Sequence, residues 1–137
     1  MSQNDLTAYI HERMPLTGTL GIKCAKMTPE EIVLNLDWSE TLCTGSGILH
    51  GGAIMALADS AGGAAAFANL PEGASGTSTI ESKTNFLGAV REGTVTATAK
   101  PLHVGGSTIV IETEIRNKAG KLVGKVTQTQ TVLRPRP

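Results

Sequence analysis

The spacing of apolar positions changes along the chain, and those changes lay out the elements. Leu6, Ile10 and Met14 recur at every fourth residue, which predicts a short helix over 4–14 that Pro15 stops. Residues 19–27 and 31–38 read as two strands, with Thr28-Pro29-Glu30 as the turn of a hairpin. In the second strand Ile32, Leu34 and Leu36 alternate with Val33, Asn35 and Asp37. A glycine-rich loop at 43–52 leads into a helix over 53–68, which ends before Leu70-Pro71-Glu72-Gly73. Beyond it, Thr, Val and Ile dominate. Strands are predicted at 77–87, 93–103, 107–117 and 121–133, broken by Glu92-Gly93, Gly105-Gly106 and Lys118-Ala119-Gly120. Long strands with short connections imply an antiparallel meander. No regular βαβ alternation is present, so a doubly wound parallel sheet is disfavoured. The fold class is α+β, with one long central helix against an antiparallel sheet of about six strands. The 137 residues fit a single domain, 1–137, without repeats or linkers.

On a helical wheel Ile54, Leu57, Ala61, Ala64, Ala65 and Ala68 share one side of the central helix. Gly52, Met55, Ala56, Asp59, Gly62, Gly63 and Ala66 share the other. Both sides are nearly apolar, so the helix should be buried all round. The sheet can cover one side, and a second subunit is the simplest cover for the other. Gly62 and Gly63 each cost about 1 kcal/mol against Ala in mid-helix. That cost is reasonable where a backbone or ligand approaches closely. Asp59 therefore stands over a shallow, glycine-floored strip.

Composition narrows the function. Charged residues are 18% of the chain and the formal net charge is zero, with no Lys/Arg cluster beyond two residues. Only four aromatics are present, Tyr9, Trp38, Phe67 and Phe86. A nucleic-acid partner normally demands a basic footprint, so none is expected. No apolar run reaches the roughly 18 residues of a membrane span. Residues 1–5 lack the pattern of a signal peptide, and the expected location is cytoplasmic. Cys24 and Cys43 read as free thiols. His11, His50 and His103 are dispersed and no His/Cys spacing suits a metal. Gly45-Ser46-Gly47-Ile48-Leu49-His50-Gly51 imitates a dinucleotide-binding glycine motif, but its third glycine falls one residue late and strands follow. Trp38 reads as an apolar anchor at a strand end.

The chemistry concentrates around His50-Gly51-Gly52 and Asp59. Gly51 and Gly52 stand at a helix N-terminus, where backbone N–H groups lack partners and the dipole favours negative charge. That suits an oxyanion site for a carbonyl oxygen. Asp59, among apolar neighbours, suits a nucleophile or general base. Ser60 could bond substrate or its own helix. Gly51 and Asp59 are separated by about 12 Å of helix rise, too far for one carbonyl to touch both. A two-fold dimer that brings Gly51 of one subunit to Asp59 of the other removes the difficulty.

Leu49-His50-Gly51-Gly52 with Asp59 resembles the hotdog-fold acyl-CoA thioesterases of the phenylacetate-degradation (PaaI-like) type. Glu81-Ser82-Lys83-Thr84-Asn85-Phe86-Leu87, Arg91-Glu92-Gly93, Leu102-His103-Val104-Gly105, Gly120-Lys121-Leu122-Val123 and Thr129-Gln130 are similar too. The resemblance implies a helix wrapped by a curved antiparallel sheet, in a homodimer with sites between subunits, often paired into a homotetramer. It implies hydrolysis of an acyl-CoA, a small aromatic or medium-chain one here, with no cofactor beyond the coenzyme A of the substrate. Asp59 matches the acid that attacks the thioester or activates water, and Gly51 the N–H that polarises its carbonyl. His50 matches the motif histidine that positions the loop. Thr79, or Thr77 on another count of the loop, matches a hydroxyl that orients water. Gly52, Ser60, Gly63, Thr77, Lys83, Asn85 and His103 are the expected substrate contacts. Thr44 stands where such proteins often carry Asn or Gln. Gly105-Gly106 stands where many have Gly-Arg, leaving Lys83, Arg91 or Lys100 for a CoA phosphate. The rival is a non-catalytic acyl-CoA or acyl-carrier binding module on the same fold; a hydratase is weaker, lacking its Asp/His pair.

Overall fold

The computed structural model describes residues 1–137. Helix α1 (Gln3–Arg13) opens on a capping box, with the Asp5 N–H donating to the Ser2 hydroxyl and the Ser2 N–H to the Asp5 carboxylate. Pro15 does not end the helical path but restarts it. It sits at the first position of α2 (Pro15–Leu20), where its missing N–H costs nothing, and Gly21 closes that helix at φ 73°. The strand expected at 19–27 therefore begins only at Lys23, as β1 (Lys23–Thr28), and pairs with β2 (Glu31–Asp37). Two short 3-10 turns, Glu40–Leu42 and Gly45–Gly47, lead to the long helix α3 (Gly51–Ala68). It starts two residues before the predicted boundary because His50 supplies the cap. Four strands follow: β3 (Gly76–Phe86), β4 (Thr94–Val104), β5 (Thr108–Arg116) and β6 (Leu122–Leu133).

The six strands form one antiparallel sheet in the order β1-β2-β4-β5-β6-β3. This corrects the meander. β4, β5 and β6 are joined as hairpins, but β3 lies outside β6 on the edge, with Gly76 opposite Leu133 and Phe86 opposite Gly124. The chain after Phe86 crosses the end of the sheet to place β4 beside β2. Three strand spacings are about 14 Å, within reach of the short connection before Thr94. Alternation identifies a strand but does not choose its neighbour.

One face of the sheet wraps α3. Leu34, Leu36, Val95, Ala97, Ala99, Ile109, Ile111, Ile115 and Val126 point inward and are fully buried. They pack with Ile54, Leu57, Ala58, Ala61, Ala65 and Ala66 in one core. The helix is not buried all round within the chain: Met55 is 40% exposed, Phe67 47%, and Asp59 is exposed too. The face assignment also needs correction. Gly62 and Ala66, expected beside Asp59, are buried against the sheet. The wheel split sides that are both apolar, so residue type could not mark the boundary.

The adjacent glycines differ for that reason. A Cβ on Gly62 would overlap Gln128 Oε1 and lie 2.8 Å from its Cδ, whereas nothing lies within 4 Å of one on Gly63. Gln128 is fully buried and has no room to give. Gly62→Ala should therefore destabilise, since overpacking costs typically 1–3 kcal/mol against a helix-propensity gain of about 1 kcal/mol. Gly63→Ala should stabilise by about 0.5–1 kcal/mol. Urea unfolding midpoints should move in opposite directions for the two variants; shifts of the same sign would refute this packing.

Candidate active site

The start of α3 is built from His50. Its extended backbone (φ −62°, ψ 135°) makes it the N-cap, and its Nδ1 accepts from the Gly52 N–H at 2.7 Å. With Nδ1 as acceptor, the ring proton belongs on Nε2. The His50 carbonyl accepts from the Ala53 and Ile54 N–H groups. Three of the first four amides are thus satisfied. The Gly51 N–H is the one left without an acceptor in the chain. The Phe86 ring closes over Gly51, 3.1 Å from where a Cβ would stand, so glycine is the residue that fits.

The loop before this cap is held tightly. Ser46 has φ 64°, a left-handed conformation unusual for a residue with a side chain. The Arg91 guanidinium donates to the Ser46 carbonyl and the Trp38 indole N–H to the Gly47 carbonyl. Arg91 is thereby committed to the loop. Thr44, whose N–H donates to the Ile48 carbonyl, is exposed in this loop and makes no bond to Asp59.

Two turns along α3, Asp59 meets a ladder of amides and hydroxyls. Gln128 Nε2 donates to Asp59 Oδ1 at 3.0 Å, and the Thr79 hydroxyl lies 3.4 Å from the same oxygen. Gln128 Nε2 is also 3.2 Å from Thr79 Oγ1, and Gln130 Nε2 donates to that hydroxyl at 2.7 Å. The Thr77 hydroxyl donates to Gln130 Oε1 and to the Thr131 carbonyl. Of the two threonines, the structure brings Thr79 to Asp59, while Thr77 acts one step away. Every donor reaches Oδ1; Oδ2 has no partner in the chain. Gln128 and Gln130 are 0% and 1% exposed, and neither stood among the expected site residues. Their signal was present: they share the inward phase of β6 with Val126 and Val132. Gly62 provides the space that the Gln128 side chain fills.

Asp59 opens onto a cavity of about 630 Å³ between α1, the second half of α3 and the start of β3. Tyr9, Ile10, Met14, Met27 and Phe67 make its apolar walls, and Gly63 and Ala64 its helical floor. This is the size and character of a small-molecule site. The contribution of α1 was not foreseen, because the periodicity of 4–14 shows a helix but not what it covers.

Other expected residues fall elsewhere. Ser60 is corrected: it is buried, and its hydroxyl donates to the Ala56 carbonyl at 2.7 Å, so it satisfies its own helix instead of facing a substrate. Gly52 is spent on the His50 cap, its position crowded by the imidazole. Lys83 and Asn85 bond each other at 2.9 Å on the exposed edge of β3. Lys100 lies among Glu112, Glu114, Arg116 and Lys125 in a charged groove away from the cavity. His103 stacks beside Gly105, 2.8 Å from where its Cβ would be. None of Lys83, Asn85, Lys100 and His103 lines the cavity. His11 Nε2 is bound to the Ile22 carbonyl at 2.6 Å, a structural role. Burial pushes the Cys24 thiol up and disfavours its thiolate, and the Cys43 thiol donates to the Ser39 carbonyl. No cluster of three His, Cys, Asp or Glu side chains is placed to hold a metal, and no helix is long and apolar enough to cross a membrane.

Comparison with known proteins fits this geometry. Residues 46–124, which include the His50 cap, Asp59 and Thr79, match the family described as the thioesterase superfamily. The protein VC_A0580 of Vibrio cholerae is 43% identical over 91 residues, 66% of this chain and 60% of that protein. A 1,4-dihydroxy-2-naphthoyl-CoA hydrolase of Listeria monocytogenes is 35% identical over 80% of this chain and 89% of its own. The crystal structure of a thioesterase from Haemophilus influenzae superposes with a TM-score of 0.87 at 27% identity, covering 98% of this chain and 92% of that one.

Proposed function

The chain belongs to the thioesterase superfamily, and on that basis we propose that it hydrolyses an acyl-CoA, with a small aromatic or medium-chain acyl group, to the free acid and CoA. The observation that carries the reading is the pairing of one free backbone donor with one free carboxylate oxygen on the same helix. The Gly51 N–H has no acceptor, and Asp59 Oδ2 no donor, while the rest of each group is held in place. A thioester carbonyl oxygen seated on the Gly51 N–H gains stabilisation as negative charge develops there, with the helix dipole adding to it. Asp59 Oδ2 then either attacks the carbonyl carbon or takes the proton of an attacking water. In the first case the CoA thiolate leaves with the electrons of the C–S bond, and water cleaves the acyl–aspartyl anhydride. In the second the water oxygen bonds to carbon directly as the thiolate leaves. The Thr79 hydroxyl, beside Oδ1, orients the carboxylate in either route.

The two groups are about 12 Å apart along one helix, so they serve different thioesters. A homodimer in which Asp59 of one copy faces Gly51 of the other completes two equal sites by symmetry. The exposure of Met55, Asp59 and Phe67 supports a covered face on this side of α3. Pairing of dimers into a tetramer is compatible with the same arrangement. A binding module without turnover is the second reading, favoured by Thr44, whose short hydroxyl stands where a longer amide is common.

Steady-state hydrolysis of a CoA-thioester panel tests the assignment. Asp59→Asn, which keeps the shape, should lower kcat by about 10²- to 10⁴-fold; equal rates would remove Asp59 from the chemistry, and tight acyl-CoA binding without any turnover in the wild type would favour the binding module. Gly51→Pro removes the N–H at the first helical position, after a residue already in extended conformation, and its Cβ crowds Phe86 as that of Gly51→Ala does. It should lower kcat by about 10²- to 10³-fold, and further than Gly51→Ala, which crowds Phe86 but keeps the donor. Mixing Asp59→Asn with Gly51→Pro subunits should restore activity to roughly a quarter of wild type, because each mixed dimer regains one intact site. No recovery after confirmed subunit exchange, or a folded monomer in sedimentation at micromolar concentration, would contradict the shared site.

A further inference from the structure

Thioester hydrolysis by itself leaves the far end of the acyl group undefined. Two charged residues line the cavity, Asp59 and Arg13. Arg13, at the C-terminal end of α1, holds its guanidinium carbon 5.0 Å from the Tyr9 ring centroid and 5.5 Å from that of Phe67. Aromatic faces attract the cation and pre-organise it, while its in-plane N–H groups remain available. No acceptor in this chain takes them up, and Arg13 forms no ion pair.

Helix α3 sets the distance. Asp59, Gly63 and Phe67 recur at every fourth residue and line the cavity as one stripe. Asp59 and Phe67 both lean toward the helix N-terminus, so their heads stay separated by about 12 Å of rise. Arg13, 5.5 Å from the Phe67 ring, therefore stands toward the end of the cavity away from Asp59, with room for a short acyl group between the two. Gly63 lies midway with open space where a Cβ would point, giving a flat floor for a ring. Ile10, Met14 and Met27 provide the apolar walls.

We propose that Arg13 is a specificity-determining residue for a short acyl group ending in a carboxylate, held at the end of the cavity away from Asp59; the assignment rests on the thioesterase reading. A para-carboxyaryl acyl group is of this kind, and so is the CoA monothioester of a short dicarboxylic acid. Guanidinium and carboxylate pair bidentately, and Arg13, exposed beside the two rings, is open to such a ligand. A neutral acyl group of the same length would fill the apolar walls and leave the guanidinium unmatched.

The test compares kcat/KM for 4-carboxybenzoyl-CoA with benzoyl-CoA, and for adipoyl-CoA with hexanoyl-CoA, in the wild type, Arg13→Met and Arg13→Lys. The carboxylated member of each pair should be preferred by about 10- to 100-fold in the wild type, as a charge-assisted hydrogen bond warrants. The preference should vanish or invert in Arg13→Met and be intermediate in Arg13→Lys, which keeps the charge but not the fork. Equal kcat/KM within each pair, with turnover, overturns the carboxylate subsite and leaves the thioesterase reading standing. Arg13→Met lowering both members of a pair by one factor would also overturn it, since the guanidinium would then serve what they share, the CoA phosphates. Hydrolysis of none of the four removes the thioesterase reading, and the subsite with it.

Discussion

A single carboxylate on an otherwise apolar helix governs this molecule. Most of α3 is Ala, Gly and aliphatic side chains, and the sheet closes around it. Asp59 stands, exposed, where the buried and open faces of that helix meet. Gln128 and Thr79 satisfy one oxygen from the sheet side, and the cavity receives the other. Of the buried amides of β6, Gln128 donates to the carboxylate and Gln130 to the Thr79 hydroxyl beside it. Gly62 exists opposite them because the Gln128 side chain needs its space. A chain of steric and polar requirements thus runs from the helix through the sheet to the edge strand that carries Thr77 and Thr79.

The same helix keeps its two chemical ends apart. His50 consumes the Gly52, Ala53 and Ile54 amides and leaves Gly51 free, under the Phe86 ring. Residues eight apart cannot approach each other on a rigid helix, whatever the flanking loops do. A free donor and a distant free acceptor are what the proposed pair of half-sites requires. The order of strands serves this as well: with β3 outside β6, the Thr79 hydroxyl reaches Asp59 from the edge of the sheet.

The walls of the cavity come from elements remote from the glycine motif. α1 carries Tyr9, Ile10, Arg13 and Met14 to the rim of the cavity that Asp59 opens onto. Asp59, Gly63 and Phe67 line it as one stripe of α3. Loop residues that invite attention in the sequence do mechanical work instead: Arg91 and Trp38 pin the turn around Ser46. Lys83 and Asn85 bond each other on the edge strand.

Periodicity and punctuation alone were enough for the helix-and-sheet class, the long helix, six strands and the singular position of Asp59. Those features are local: they depend on which residues recur at which spacing, and on the cost of a charge among apolar neighbours. Helix rise was enough to separate Gly51 from Asp59, because it is the same in every helix. The neighbour of β3, the burial of Gly62, the back-bonded Ser60 and the union of Gln128 and Gln130 with Thr79 and Asp59 were decided by tertiary structure. Each depends on contacts between segments far apart in the chain. Apolar residue type did not tell one face of α3 from the other, and alternation did not say which strand lies beside which. The cavity arises from the same cause, since α1, α3 and β3 become its walls only when the sheet has brought them together.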